Sequence, residues 1–263
     1  EDGTREWWIA SQKGPGFKAH PGSGLYISRY HTSGSEAAVY SKSGAAPLAS
    51  KTRDNFRTYS QAKGAGWRML DLAAWSAVQL LYLVEFADWN SFSKLSNKNT
   101  GASSNTQVSG GSDAAVYHTG YSSKQYIQYR WIENPAYGAV GYFVDGFLAS
   151  DRKCYLGLDP SSYGDTVDGL TDSGITLPTS NFITDFGYSA AFPWAFLPNE
   201  ASGGSNSTKV TDYVNSNTGL RVLCVGASYS WAYNEKSGLW FFGASYTASN
   251  ANANIGSRLL FSP

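Results

Sequence analysis

One stretch limits the fold more than any other. From Leu70 to Trp89 the side chains Trp75, Val78, Leu81, Tyr82 and Phe86 recur at three- and four-residue steps, the period of an α-helix. Apolar positions cover nearly every side of that helix, so it is expected to be buried rather than laid on a surface. The rest of the chain reads as short strands: Gly24 to Tyr30, Tyr126 to Ile132, Val140 to Leu148, Leu220 to Val225, Leu239 to Phe242 and Arg258 to Phe261. Between them run Ser/Gly/Asn tracts too polar for a core, chiefly Ser96 to Ser112, Asp159 to Gly174 and Glu200 to Ser207. This pattern predicts an α+β domain with one long buried helix, a small antiparallel sheet and extensive loops. No internal repeat or sharp change of composition divides residues 1–263, so one domain is expected.

Composition narrows the function classes. Twenty Lys+Arg balance twenty Asp+Glu, so no global field draws the chain to phosphate backbones or anionic lipid, and nucleic acid is not an expected partner. The longest apolar run is broken by Glu85 and falls short of the roughly 18 residues of a membrane span, so no membrane insertion is expected. Met69 is the single methionine, and the reading expects sequence upstream of Glu1. Cys154 and Cys224 lack CxxC spacing and form either one disulfide or two buried thiols; with no other mark of secretion, thiols are favoured. The 28 Gly, 18 Tyr and 9 Trp suit a surface of adaptable loops and amphipathic aromatic contacts.

Catalytic and metal signatures are missing. His20, His31 and His118 have no second ligand at metal spacing, and there is no GxSxG elbow, phosphate loop or GxGxxG after a strand. Asp159, Asp165, Asp168 and Asp172 share one loop but lack the EF-hand spacing, so Asx turns rather than calcium are expected. Glu85 and Glu133 stand in a buried helix and in Ile132-Glu133-Asn134-Pro135, where structural hydrogen bonding is the commoner role. Neither a cofactor nor a metal is predicted.

A series of phrases carries a family likeness. They are Gly66-Trp67-Arg68-Met69-Leu70-Asp71, Leu83-Val84-Glu85-Phe86, Tyr129-Arg130-Trp131-Ile132-Glu133-Asn134-Pro135 and Phe143-Val144-Asp145-Gly146. They continue in Gly219 to Ala227 and close in Asn254-Ile255-Gly256-Ser257-Arg258-Leu259-Leu260. In this order, over about Gly64 to Pro263, the chain resembles the variable proteins of diversity-generating retroelements. The resemblance implies a C-type lectin fold of the formylglycine-generating-enzyme type. It implies a receptor-binding protein of a virion tail or cell surface, attached to a larger assembly, whose ligand is a cell-surface protein or glycan.

In such proteins adenine mutagenesis of asparagine codons rebuilds the C-terminal face, giving many residues but never Trp, Lys or Glu. The resemblance therefore assigns ligand binding to Ser228, Ser230, Trp231, Tyr233, Trp240, Phe242, Gly243, Ser245 and Tyr246. Trp231 and Trp240 fit the codon rule less well. Along Leu239 to Phe242 a strand would put Trp240 and Phe242 on one face and Phe241 on the other. Two other classes remain beside this one. A passive virion or adhesin module is compatible with the composition, and an oxidase shares the implied fold. The oxidases need a C-terminal cysteine pair, and here no cysteine follows Cys224.

Overall fold

The computed structural model describes residues 24–95, 108–113, 128–134, 140–226 and 238–263. In chain order the first elements are strands β1 (Tyr26–Ile27), β2 (Ser33–Ser35) and β3 (Ala38–Tyr40), then helix α1 (Arg53–Gln61) and β4 (Trp67–Met69). Helices α2 (Leu72–Phe86) and α3 (Ser91–Leu95) follow, then β5 (Gln128–Tyr129), β6 (Ile132–Glu133), β7 (Gly141–Ser150), β8 (Lys153–Leu156) and β9 (Thr171–Thr176). The chain continues through β10 (Asn181–Phe182), β11 (Asp185–Gly187), β12 (Leu197–Glu200) and β13 (Tyr213–Ser216). It ends with β14 (Leu220–Val225), β15 (Phe242–Tyr246), β16 (Ile255–Gly256) and β17 (Leu259–Phe261).

Strand β7 organises the molecule. Nine of its ten residues are buried, as expected of a strand covered on both faces. Around it lies an eight-stranded sheet in the order β10-β13-β15-β14-β7-β8-β9, with β16 pairing the start of β7. The β13–β15 and β16–β7 pairs are parallel and the others antiparallel. Val144, Phe147 and Ala149 enter one core with Trp75, Val78 and Tyr82 of α2. Phe143 and Leu148 enter a second core with Phe56 of α1, Met69, Val222 and Cys224. A smaller sheet, β1-β17-β4, ties the two ends of the described chain together.

Capping fixes where the two longer helices begin. Thr52 and Asn55 form a reciprocal capping box at the start of α1. Asp71 accepts the Ala74 N–H at 2.8 Å and starts α2. The helix ends at Ala87, whose left-handed backbone (φ 48°) turns its N–H back to the Leu83 carbonyl. The helix is therefore shorter at both ends than the Leu70 to Trp89 periodicity.

The expected fold class is overturned. Strand accounts for 33% and helix for 16% of the structure, and the main sheet is large and mixed instead of small and antiparallel. A C-type lectin-like α+β domain built on one long helix is not the architecture found. The reading failed where strands lack a period-two apolar signal. Strand β9 begins inside the Asp159 to Gly174 tract taken for loop, and β13 is the half-polar Tyr213-Val214-Asn215-Ser216. Helix α1 went unread because its sequence, Arg-Asp-Asn-Phe-Arg-Thr-Tyr-Ser-Gln, buries one apolar side chain, Phe56, and so shows no apolar period.

Candidate ligand-binding face

The candidate residues on and before β15 divide between core and surface. Trp240 is 1% exposed; its ring lies 4.8 Å from Trp89, 5.2 Å from Phe196 and 5.7 Å from Phe186, centroid to centroid. Phe242 is 3% exposed and meets Phe147 edge-on at 5.2 Å. Gly243 is buried where a Cβ would approach the Cys224 carbonyl to 3.0 Å. These three stand in the scaffold, not on its accessible surface. Trp240 and Phe242 do share one core, but so does Leu239, and not by strand alternation: Leu239 and Trp240 form a turn and the strand begins only at Phe242.

Beyond Gly243 the strand changes character. Val222 pairs with Tyr246 while Cys224 pairs with Gly243, so β15 carries one extra residue and bulges. The bulge turns the half-buried Tyr246 onto Phe143, ring edge to ring face at 6.4 Å. Ser245, also half-buried, accepts a hydrogen bond from Asn215 Nδ2 at 3.3 Å. Asn215 Oδ1 in turn accepts from the Ser180 hydroxyl at 2.8 Å, and Ser180 accepts the Ser216 N–H at 3.1 Å. A ladder of small polar groups therefore crosses from β15 to β13. Ser228, Ser230, Trp231 and Tyr233 lie outside the described residues.

Sequence reasoning missed an aromatic group beside this face. Trp89, Phe186 and Phe196 are half-buried around Trp240, with Trp89 and Phe186 stacked at 5.2 Å. The Lys209 ammonium stands 5.3 Å from the Trp89 ring centroid, within cation–π range. Tyr188, at the end of the same β11 segment, is 76% exposed. The one sequence signal was the aromatic spacing of Phe186, Tyr188, Phe192, Trp194 and Phe196. Such rings offer large contact area with polar edges.

Of the groups considered for catalysis or metal binding, His20 and His118 lie outside the described residues, and the others are engaged separately. Glu133 accepts from the Gly110 and Ser112 N–H groups and the Ser112 hydroxyl. Glu85 holds Arg130 through two hydrogen bonds of 2.9 and 3.0 Å. Asp159 caps the turn at Pro160–Ser162, Asp168 accepts from Thr166, and Asp172 accepts the Gly174 N–H. Asp165 instead takes hydrogen bonds from Arg53 and Arg57. His31 Nε2 donates to the Ala45 carbonyl at 3.0 Å, and burial lowers its pKa to about 4, which keeps the ring neutral. Cys154 and Cys224 are free and buried, and burial pushes both thiols well above their ordinary range. Among the described residues no group of His, Cys, Asp and Glu is arranged to hold a metal. No helix among them is long and apolar enough to cross a membrane. No protein-family model and no curated protein matches the chain.

Proposed function

We propose that the chain is a non-enzymatic ligand-binding protein whose C-terminal segment contacts a cell-surface protein or glycan. The proposal keeps the functional part of the resemblance to retroelement-diversified proteins and leaves aside the fold that came with it. One observation supports it most. Within a few residues of β15, an aromatic core at Trp240 and Phe242 gives way to half-buried Ser245 beside small polar neighbours and to half-buried Tyr246 at the rim of the second core. A face that must accept substitution needs its changeable side chains separated from its packing. Ser and Tyr are suited to such a face, since Tyr buries much area at low entropic cost and Ser adapts its hydrogen bonds. On this reading the protein works outside the cell, on a virion tail or a cell surface.

The coding locus tests this without knowledge of the ligand. A reverse-transcriptase gene and a near-copy of the 3′ coding segment, differing at adenines, are expected close by. Related chains should then differ mainly at asparagine-codon positions such as that of Ser245. A locus with neither feature, or differences spread evenly over core and surface, would return the chain to the class of passive structural modules.

A further inference from the structure

The turn that leads into β15 is held by side chains from three directions. Gln79 of α2 donates to the Leu239 carbonyl at 2.9 Å, Ser91 of α3 accepts the Leu239 N–H at 2.9 Å, and Asp212 Oδ2 accepts the Trp240 N–H at 2.7 Å. Because β13 and β15 run parallel with Val214 opposite Phe242, Asp212 and Trp240 sit at matching positions just before the two strands. Of the three side chains, Asp212 is the one that titrates.

We infer that Asp212 is a proton-sensitive pin: protonated it sits stably beneath Gly238–Trp240, and on ionisation it releases this turn and loosens the entry to β15. The inference concerns the fold and stands apart from the proposed ligand. Asp212 is 0% exposed and, among the described residues, no ion pair reaches it. Its hydrogen-bond neighbours are neutral: the Trp240 N–H, the Thr211 hydroxyl at 3.4 Å and the Ser91 hydroxyl. The fit is tight, since a Cβ on Gly238 would come within 2.3 Å of both carboxyl oxygens. No room is left for the solvation a carboxylate requires.

Among the described residues, the ionisable groups around this region do not supply a counter-charge. Asp88 at the end of α2 pairs with Lys94 of α3 at 3.5 Å. Lys209 lies over the Trp89 ring, and Tyr82 of α2 keeps its proton, held up by burial and by Asp88 and Asp212. Burial accordingly raises the Asp212 pKa to about 7 from an ordinary 3.8, against the lowering effect of its hydrogen bonds. The sign follows from proton counting. Between the two values the closed turn holds one proton more than an opened one, so the turn is most stable below about pH 4 and loses stability up to about pH 7.

Hydrogen exchange of peptides covering residues 238–242 tests this, after correction for intrinsic exchange rates, with Lys153–Leu156 of β8 as internal reference. In wild-type protein the opening constant of 238–242 relative to β8 should rise between pH 5 and 7, by up to about tenfold per unit, and level off above. In Asp212→Asn, which keeps an acceptor oxygen but cannot ionise, the ratio should stay flat. The local ratio is needed because neutral, buried His31 shifts global stability the opposite way between about pH 4 and 6.5. A flat ratio in wild type overturns the inference, as does an equal slope in the Asn variant. Should that variant not fold, the wild-type profile alone decides.

Discussion

The two faces of the large sheet bury charge in opposite ways. On the α1 side, Arg57 grips Asp145 with two hydrogen bonds of 2.7 and 2.9 Å and also reaches Asp54 and Asp165. Arg53, 0% exposed, adds contacts to Asp165 and to the Phe147 and Gly164 carbonyls. Asp145 can reach this network because β7 bulges: Leu148 and Val144 pair with the adjacent Val222 and Leu223, leaving Asp145 to Phe147 unpaired with β14. On the α2 side, Asp212 is equally buried but, among the described residues, meets only neutral donors. Where guanidinium forks satisfy a carboxylate, as at Asp165, the ionised form is favoured and ties elements together; where they are absent, as at Asp212, burial favours the protonated form.

Removing one side of the paired network gives the largest effect expected here. Arg57→Met leaves Asp145, 2% exposed, without its bidentate partner, and should cost about 3–5 kcal/mol in urea denaturation at pH 7. Replacing both residues, Arg57→Met with Asp145→Leu, should cost clearly less than the two single changes added, because partners in one ion pair are coupled. Additive losses would mean that the two side chains act independently, and the contrast between the faces would fall.

Acid should open the α1 side and spare the α2 side. Arg53 and Arg57 outweigh the partial burial of Asp165 and hold its carboxyl below the ordinary 3.8. A lowered folded value gives stability that is present above the unfolded pKa and is lost as pH falls through the folded one. Exchange at residues 163–166 should therefore quicken below about pH 4, by up to about tenfold per unit, while 238–242 remains at its most protected. Parallel acid responses of the two segments would contradict the opposite charge states assigned to them.

How much of this was legible depended on whether a signal was local. Strand β14 fell on the bounds read from Leu220 to Val225, and α2 was evident from its period, although Asp71 caps the helix instead of lying inside it and Val84 is 76% exposed where burial on every side was expected. The buried, free state of Cys154 and Cys224 was also expected. The charge networks were not readable, because Arg57 and Asp145 are separated by 88 residues and nothing in either neighbourhood marks a partner. Asp212 is buried against Ser91, Gly238 and Trp240, which are remote from it in sequence. The sheet was underestimated for a related reason: β13 and β9 become strands through their neighbours, not through their own propensity. In the candidate face, the codon rule that disfavoured Trp240 agrees with its core position, whereas Phe242 and Gly243 passed the rule and are nonetheless buried.

The smallest effects should come from the two candidate residues left at the surface, and they separate binding from packing. Ser245 is half-buried and, among the described residues, its hydroxyl accepts one hydrogen bond, from Asn215. Ser245→Ala should therefore change stability by no more than about 0.5 kcal/mol. Tyr246 also packs on Phe143, so Tyr246→Ala should cost more, about 1 kcal/mol, within the usual range for point changes. If the face binds a ligand, Tyr246→Ala should weaken binding beyond this stability loss, as aromatic contacts near the centre of an interface do. Melting temperature and binding to cells that the wild-type protein recognises, measured on both variants, give the answer. Two variants that bind as the parent does would remove Ser245 and Tyr246 from the contact surface and leave β15 as scaffold along its whole length.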